Sequence, residues 1–363
     1  MSRVAILTPS LAPADAVGND VLQMSNVLTR KGHEVRVFSE THSITDAVVF
    51  DVARLNKFLK SSNDVLIYHH SRGWDPGLEL IRSLRCRRVI RYHNVTPPQF
   101  FDGYSRTDKE LCERGRQELT QFAALGCDLY LSASAFSMRE LVAIGADVSK
   151  SFVVPPFHQI DRLSKITADQ KTIDQYSKGD TANILSVGRI VPHKNQHHLV
   201  EAFAHYHYDC NKASRLIFVG KGGEGLSTYS KLLHRTVQKL GLTKAVIFTG
   251  GVPDEVLKAY YLVADAFVTV SEHEGFCVPL VEAMAMKLPI TAYASTAIPE
   301  TLGDAGIVWT ERNPFLIAES LDRFVRDSAV SDALGLRGRR RYESTFTNEK
   351  IEHTFLQAMA RLQ

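Results

Sequence analysis

No two of the five cysteines, Cys86, Cys112, Cys127, Cys210 and Cys277, stand in a C-x-x-C spacing. An odd, unpatterned set favours reduced thiols in a cytosolic protein over a disulfide framework or a zinc site. No apolar run approaches the roughly 20 residues needed to span a bilayer. The chain opens directly into Val4–Leu7 with no signal-like apolar core. Together these absences lead us to expect a cytoplasmic protein, with any membrane contact peripheral and at the inner face. Charge of one sign is also missing: the net value is +3, too small to argue for a nucleic-acid partner. The G-x-G-x-x-G fingerprint is absent from the first strand–helix turn, so a nicotinamide cofactor has no support.

What is present is alternation. Apolar stretches at Val4–Leu7, His33–Phe38, Val65–Tyr68, Val89–Tyr92, Leu129–Ser132 and Ser151–Val154 read as strands. Amphipathic stretches separate several of them, including one through Val21, Leu22, Met24 and Leu28 that Gly32 closes. A loop is expected over Thr8–Asp20, with Pro9, Pro13 and Gly18. From Phe157 to Asp180 the chain turns polar, as an interdomain connection would. The alternation then restarts, with strands at Asn183–Gly188, Arg215–Gly220, Ala245–Gly250, Ala266–Val270 and Leu288–Ala292. Strands alternating with helices imply parallel sheets. The expected fold is therefore α/β: two Rossmann-like domains with parallel sheets facing an interdomain cleft. At 363 residues the chain is long enough for both. The boundaries read as 1–160 and 181–345, with a C-terminal helix, 346–363, crossing back to the first domain.

The strand Ala266–Val270 leads into Ser271-Glu272-His273-Glu274-Gly275-Phe276-Cys277-Val278-Pro279, and then into Leu280–Ala285. Pro279 fits the first position of a helix, where its missing N–H costs nothing. The backbone N–H groups of Phe276–Leu280 would then point out of a helix N-terminus, ready for an anion. Glu274 precedes that helix, and Glu282 lies close to one turn beyond Pro279. Taken singly, Glu274 reads as a solvated loop residue and Glu282 as an acid favoured by the helix dipole. Two carboxylates flanking a phosphate cradle point instead to a ligand with hydroxyls beside its phosphate, a nucleotide sugar. After an earlier strand, Arg189 and Lys194 stand where a guanidinium fork and a point charge could offset a diphosphate. In the first half, His93 follows a strand at the edge where α/β sheets bind ligands; a solvated loop histidine is the alternative. His69 and His70 are adjacent on one strand and point to opposite faces, which argues against a shared metal.

These pieces together resemble the retaining glycosyltransferases of family 4, which have the GT-B fold. The resemblance is carried by Gly188-Arg189 through Lys194-Asn195, Gly251-Val252-Pro253-Asp254-Glu255, Glu274-Gly275-Phe276 through Pro279 to Glu282, and Pro299-Glu300 near Gly303. Glu274 and Glu282, eight apart, match the family's E-x7-E motif. It is strongest over about residues 183–310 and looser over the first half. It implies that Arg189 and Lys194 hold the donor diphosphate and that Glu274 contacts the transferred sugar. Glu282 would hold the ribose, and the backbone around Gly275, Phe276, Cys277 and Val278 would meet the distal phosphate and sugar. Val252 would lie by the base, Gly18 would let the first loop approach the diphosphate, and His93 would face the reacting sugar. Two departures stand out. Gly18-Asn19-Asp20 has one glycine where the family usually pairs two, and Pro155-Pro156-Phe157 replaces an asparagine–glycine.

The implied activity is transfer of a hexosyl or related group, with retention, from a nucleotide-diphosphate sugar to a sugar or lipid-linked glycan acceptor. It would serve polysaccharide, lipopolysaccharide or other glycoconjugate synthesis. The chain lacks an Asp-x-Asp pair, in keeping with the metal independence the resemblance implies. No cofactor is expected beyond the nucleotide sugar as co-substrate. A 2-epimerase, a sugar phosphorylase and a non-catalytic nucleotide-sugar-binding protein remain open on the same fold.

Overall fold

A computed structural model describes residues 2–13, 15–45, 47–223 and 225–362. The chain divides into two units, one comprising Met1–Pro98, Asp108–Gln159 and Thr347–Gln363, the other Gln99–Thr107 and Ile160–Phe346.

The first unit is built on seven strands: β1 (Arg3–Leu11), β2 (Glu34–His42), β3 (Val49–Asp51), β4 (Val65–His70), β5 (Arg87–Tyr92), β6 (Leu129–Ser132) and β7 (Ser151–Val153). They lie in the order β3-β2-β1-β4-β5-β6-β7, and every pairing is parallel. The order reverses direction between β1 and β4, the switch point at which such sheets open a crevice. The helix Ala16–Arg30 packs Val21, Met24, Val27 and Leu28 onto the sheet. Full burial of each such side chain stabilises by about 1.5–3 kcal/mol. The C-terminal helix Asn348–Met359 adds Ile351, Phe355 and Ala358 to the same core.

The second unit holds β8 (Ala182–Val187), β9 (Ser214–Val219), β10 (Val246–Phe248), β11 (Ala266–Thr269), β12 (Ile290–Tyr293) and β13 (Ile307–Trp309). Their order is β10-β9-β8-β11-β12-β13, again all parallel, with the switch between β8 and β11. Gly220, at φ 149, is required here: a Cβ would stand 2.0 Å from the Gly188 carbonyl oxygen. This close approach lets the loops after β8 and β9 run side by side.

Three expectations need correction. The loop over Thr8–Asp20 is far shorter, because β1 continues to Leu11 and the helix already begins at Ala16. Thr8 and Ser10 pair with Ser39 and Thr41 of β2, and Pro9, with no N–H to donate, is the position that register skips. The polar connection folds into two helices, Ile160–Lys165 and Gln170–Tyr176, because Ile160, Leu163 and Tyr176 are buried anchors within it. Residues 99–107, taken from sequence as part of the first domain, belong to the second unit, where Phe100 and Phe101 set their rings against His193. Among the described residues no helix is long and apolar enough to cross a membrane.

Candidate active site

In the second unit the switch point brings together two loops far apart in sequence. The loop after β8 carries Arg189 and a 3-10 turn, Pro192–Lys194. The loop after β11 carries Glu272 and Glu274 and enters the helix Val278–Ala285. Because β8 and β11 are hydrogen-bonded neighbours, the two loops meet, and Glu272 N–H donates to the His193 carbonyl at 2.8 Å. Lys194 Nζ then reaches Glu274 Oε1 at 2.5 Å. Glu274 is 6% exposed. Burial works against the Lys194 charge, but the Glu274 carboxylate more than compensates and holds its pKa above the ordinary value. The cation expected on a diphosphate is therefore engaged by the neighbouring carboxylate. Arg189 differs. It is exposed, with no ion pair among the described residues, so its guanidinium is available to an anion.

The backbone around Glu274 is held in sparsely populated conformations. Asn195, Cys277 and Thr296 adopt φ of 58°, 74° and 44°. For a β-branched residue such as Thr296 this is an outlier, and such strain gathers at functional sites. Thr296 shows what the strain achieves: its hydroxyl accepts from Glu274 N–H and donates to the Glu274 carbonyl, both at 2.8 Å. Cys277 is the residue preceding the helix, so Pro279 occupies its second position rather than its first. Leu280 N–H bonds back to Cys277 O at 3.0 Å, closing the first turn of the helix. The Cys277 thiol is buried, and burial, then the Glu274 charge, push its pKa up. Gly275 and Val278 are half-buried, and Phe276 is buried with its ring edge-on to Phe346 at 5.6 Å.

Glu282 is turned to a different partner. The Tyr261 hydroxyl donates to its Oε2 at 2.6 Å, and burial raises its carboxyl pKa. Val252 lies half-buried in the turn before the helix Asp254–Val263. His193, on the same turn as Lys194, is held well below its ordinary pKa by burial and by the adjacent Lys194 charge.

The other two candidates lie in the first unit. Gly18 is not in a loop but in the first turn of the helix Ala16–Arg30, where its N–H donates to the capping Asp15 carboxylate at 3.2 Å. A Cβ on Gly18 would come 2.9 Å from the Ala12 carbonyl, so glycine keeps that turn close to the helix. His93 follows β5 and sits beside His69, with Nε2 2.9 Å from His69 Nδ1. Asp20, His69 and His93 have donor atoms within 4.8 Å of one another, a set that could hold a metal ion. Its carboxylate is already committed, however: Oδ2 accepts from Arg91 Nε at 2.7 Å and Oδ1 from Phe157 N–H at 2.8 Å. A metal ion would have to displace the guanidinium. His70 turns away from its neighbour, as strand alternation requires, and bonds to the Gly115 carbonyl.

Sequence reasoning missed Thr296, Tyr261, Asp20 and Arg91, and weighed His69 only as a metal ligand. Only the histidines gave a signal, by following strands at the ligand edge of the sheet.

Residues 169–341 match the family model for glycosyl transferases group 1. The GDP-mannose-dependent alpha-(1-6)-phosphatidylinositol monomannoside mannosyltransferase of Mycobacterium tuberculosis (strain CDC 1551 / Oshkosh) is 27% identical over 224 residues, covering 59% of this chain and 57% of that protein. The O-antigen chain mannosyltransferase B of Escherichia coli is 29% identical over 212 residues, covering 58% of this chain and 55% of that protein. The chain thus spans about half the length of the curated relatives it matches. Among solved structures, the sucrose-phosphate synthase of Thermosynechococcus elongatus superposes with a TM-score of 0.77 at 19% identity, covering 100% of this chain and 99% of that one. Anabaena HepE in complex with UDP-glucose superposes with a TM-score of 0.78 at 16% identity, covering 99% and 100%. The fold is accordingly GT-B, and residues 169–341 are similar to the group 1 glycosyl transferases.

Proposed function

We propose that the protein is a retaining glycosyltransferase of the E-x7-E type. It moves a sugar from a nucleotide-diphosphate sugar to a hydroxyl of a glycan or lipid-linked acceptor, in polysaccharide, lipopolysaccharide or related glycoconjugate synthesis. The observation that carries this reading is the Lys194–Glu274 pair at 2.5 Å, set before a helix N-terminus at the sheet's switch point. Relatives named as mannosyltransferases favour mannose as the transferred sugar, and the one named as GDP-mannose-dependent favours GDP-mannose as the donor.

In this reading Arg189 and the N–H groups of Phe276, Cys277 and Val278 stabilise the departing diphosphate, as preorganised donors do where charge develops. Lys194 and Glu274 act together, the carboxylate on the sugar hydroxyls and the ammonium fixing the carboxylate. Glu282, held by Tyr261, anchors the ribose, and Val252 lies against the base. His93 and Gly18 of the first unit serve the reacting sugar and the diphosphate. No carboxylate is assigned to the far face of the sugar as a nucleophile. The acceptor hydroxyl therefore attacks on the leaving-group side through an oxocarbenium-like state, with the leaving phosphate taking its proton. Arg189 and the helix terminus supply the positive charge, so transfer is expected to persist in a chelator.

A thermal-shift panel of GDP-mannose with UDP-, ADP- and dTDP-sugars tests the donor. A ligand at about 100 times its dissociation constant adds roughly 2.7 kcal/mol of stability. GDP-mannose should shift the melting temperature most and then be consumed only when an acceptor glycan is added. Binding with neither hydrolysis nor transfer across an acceptor panel would overturn the enzymatic reading.

A further inference from the structure

The buried polar group around His93 is arranged to decide where that ring carries its proton. His69, fully buried at the end of β4, lies beside Arg91 in the β4–β5 register, which places its ring against that of His93. The ring centroids are 5.1 Å apart, and Nδ1 of His69 is 2.9 Å from Nε2 of His93. One proton serves that contact. The other ring nitrogen of His69, Nε2, is buried with no hydrogen-bond partner. An orphaned buried N–H is rarer and costlier than an orphaned acceptor. His69 therefore keeps Nε2 bare and carries its proton on Nδ1.

Burial, then the Arg91 charge, hold both imidazoles well below their ordinary pKa, so each carries a single proton. Asp20 Oδ2 is 3.5 Å from His93 Nε2 and would draw a proton to that nitrogen. That pull is weakened because Arg91 and the Phe157 N–H already occupy its two oxygens. Arg91 is itself fixed by donating to the Val154 carbonyl at 2.6 Å.

We propose that His69 is a positioning residue whose Nδ1–H donates to His93 Nε2, so that His93 presents its own proton on Nδ1 as a donor to a hydroxyl or ring oxygen of the sugar. The role in transfer rests on reading His93 as a residue of the sugar site; the proton arrangement itself does not.

The test is nitrogen NMR on the full chain labelled with 15N-histidine, for the wild type, His69→Asn and His69→Leu. An asparagine amide can place an N–H where Nδ1 stood; leucine cannot. The wild type and His69→Asn should both show His93 as the Nδ1–H tautomer. His69→Leu should move it toward Nε2–H, because Asp20 is then the neighbour left to that nitrogen. In turnover assays His69→Leu should lower kcat about 10-fold with donor KM unchanged, the scale of one misdirected hydrogen bond, and His69→Asn should recover most of it. An Nε2–H tautomer at His93 in the wild type overturns the proposal, and needs no variant to fold. So does an unchanged tautomer in His69→Leu. Full transfer by His93→Ala, with the tautomer as stated, would instead remove His93 from the sugar site and leave the hydrogen bond standing.

Discussion

Lys194 Nζ lies 2.5 Å from Glu274 Oε1, joining two loops that are 80 residues apart in sequence. Removing one partner leaves the other charge poorly solvated. Breaking a buried pair costs about 3–5 kcal/mol, and Lys194→Met should fall at the lower end because its side chain keeps 19% exposure. Adding Glu274→Gln should restore most of that loss, as read in a double-mutant cycle by urea unfolding; additive losses would mean no coupling. Glu274→Ala should abolish transfer while nucleotide binding stays measurable, and full activity in that variant would sink its assignment.

Thr296 holds Glu274 by both backbone groups. Thr296→Val keeps the shape and leaves the Glu274 N–H without an acceptor, a penalty of about 1–3 kcal/mol. Turnover should fall while nucleotide affinity, measured by calorimetry, changes little. Thr296→Ser retains the hydroxyl and should behave almost as the wild type.

Arg189 is the exposed cation of the β8 loop. Arg189→Ala should weaken nucleoside diphosphate binding about 10- to 100-fold, the range for a hydrogen bond to a charged group. The salt dependence of binding should become shallower, and affinity for the unphosphorylated nucleoside should not change. Arg189→Lys should recover only part, because an ammonium cannot fork onto two oxygens.

Glu118, buried in the first unit, accepts from Trp74 N–H at 2.8 Å, yet its Oε2 has no hydrogen-bond partner and only the His70 ring at 3.9 Å. Burial raises its pKa from 4.5 to about 7. Below pH 4.5 the carboxyl is neutral in both the folded and the unfolded chain. Between 4.5 and about 7 the unfolded chain releases a proton that the folded chain retains, so rising pH favours unfolding. Above about 7 the penalty is constant. Glu118→Gln should therefore gain melting temperature over the wild type at pH 8 and little at pH 4. A difference independent of pH would refute ionisation of the buried carboxyl as its cause.

Much of the fold was legible because parallel strands buried on both faces leave continuous apolar runs, as at Ala266–Thr269 and Leu216–Val219. Glu274 was legible because glycine, an apolar insert and proline mark a strand–turn–helix. The residues that hold it were not. Thr296 sits 22 positions away and acts through a hydroxyl, a group found in any loop. The His69–His93 contact depends on the register of β4 against β5, and strand pairing cannot be read from either strand alone. The helices at Ile160–Lys165 and Gln170–Tyr176 were hidden because a few buried side chains anchor an otherwise polar stretch.

The C-terminal helix has a consequence for how the molecule is made. Ile351, Phe355 and Ala358 complete a core whose other members begin at Val4. During synthesis the second unit has all of its residues, through Phe346, before the first has its last helix. The unit begun first is the one finished last. Until then its β1–β4 layer lacks part of its apolar cover, a state exposed to aggregation. Slow elongation or early termination near residue 347 would be felt in the folding of the first unit, while the second could already have closed.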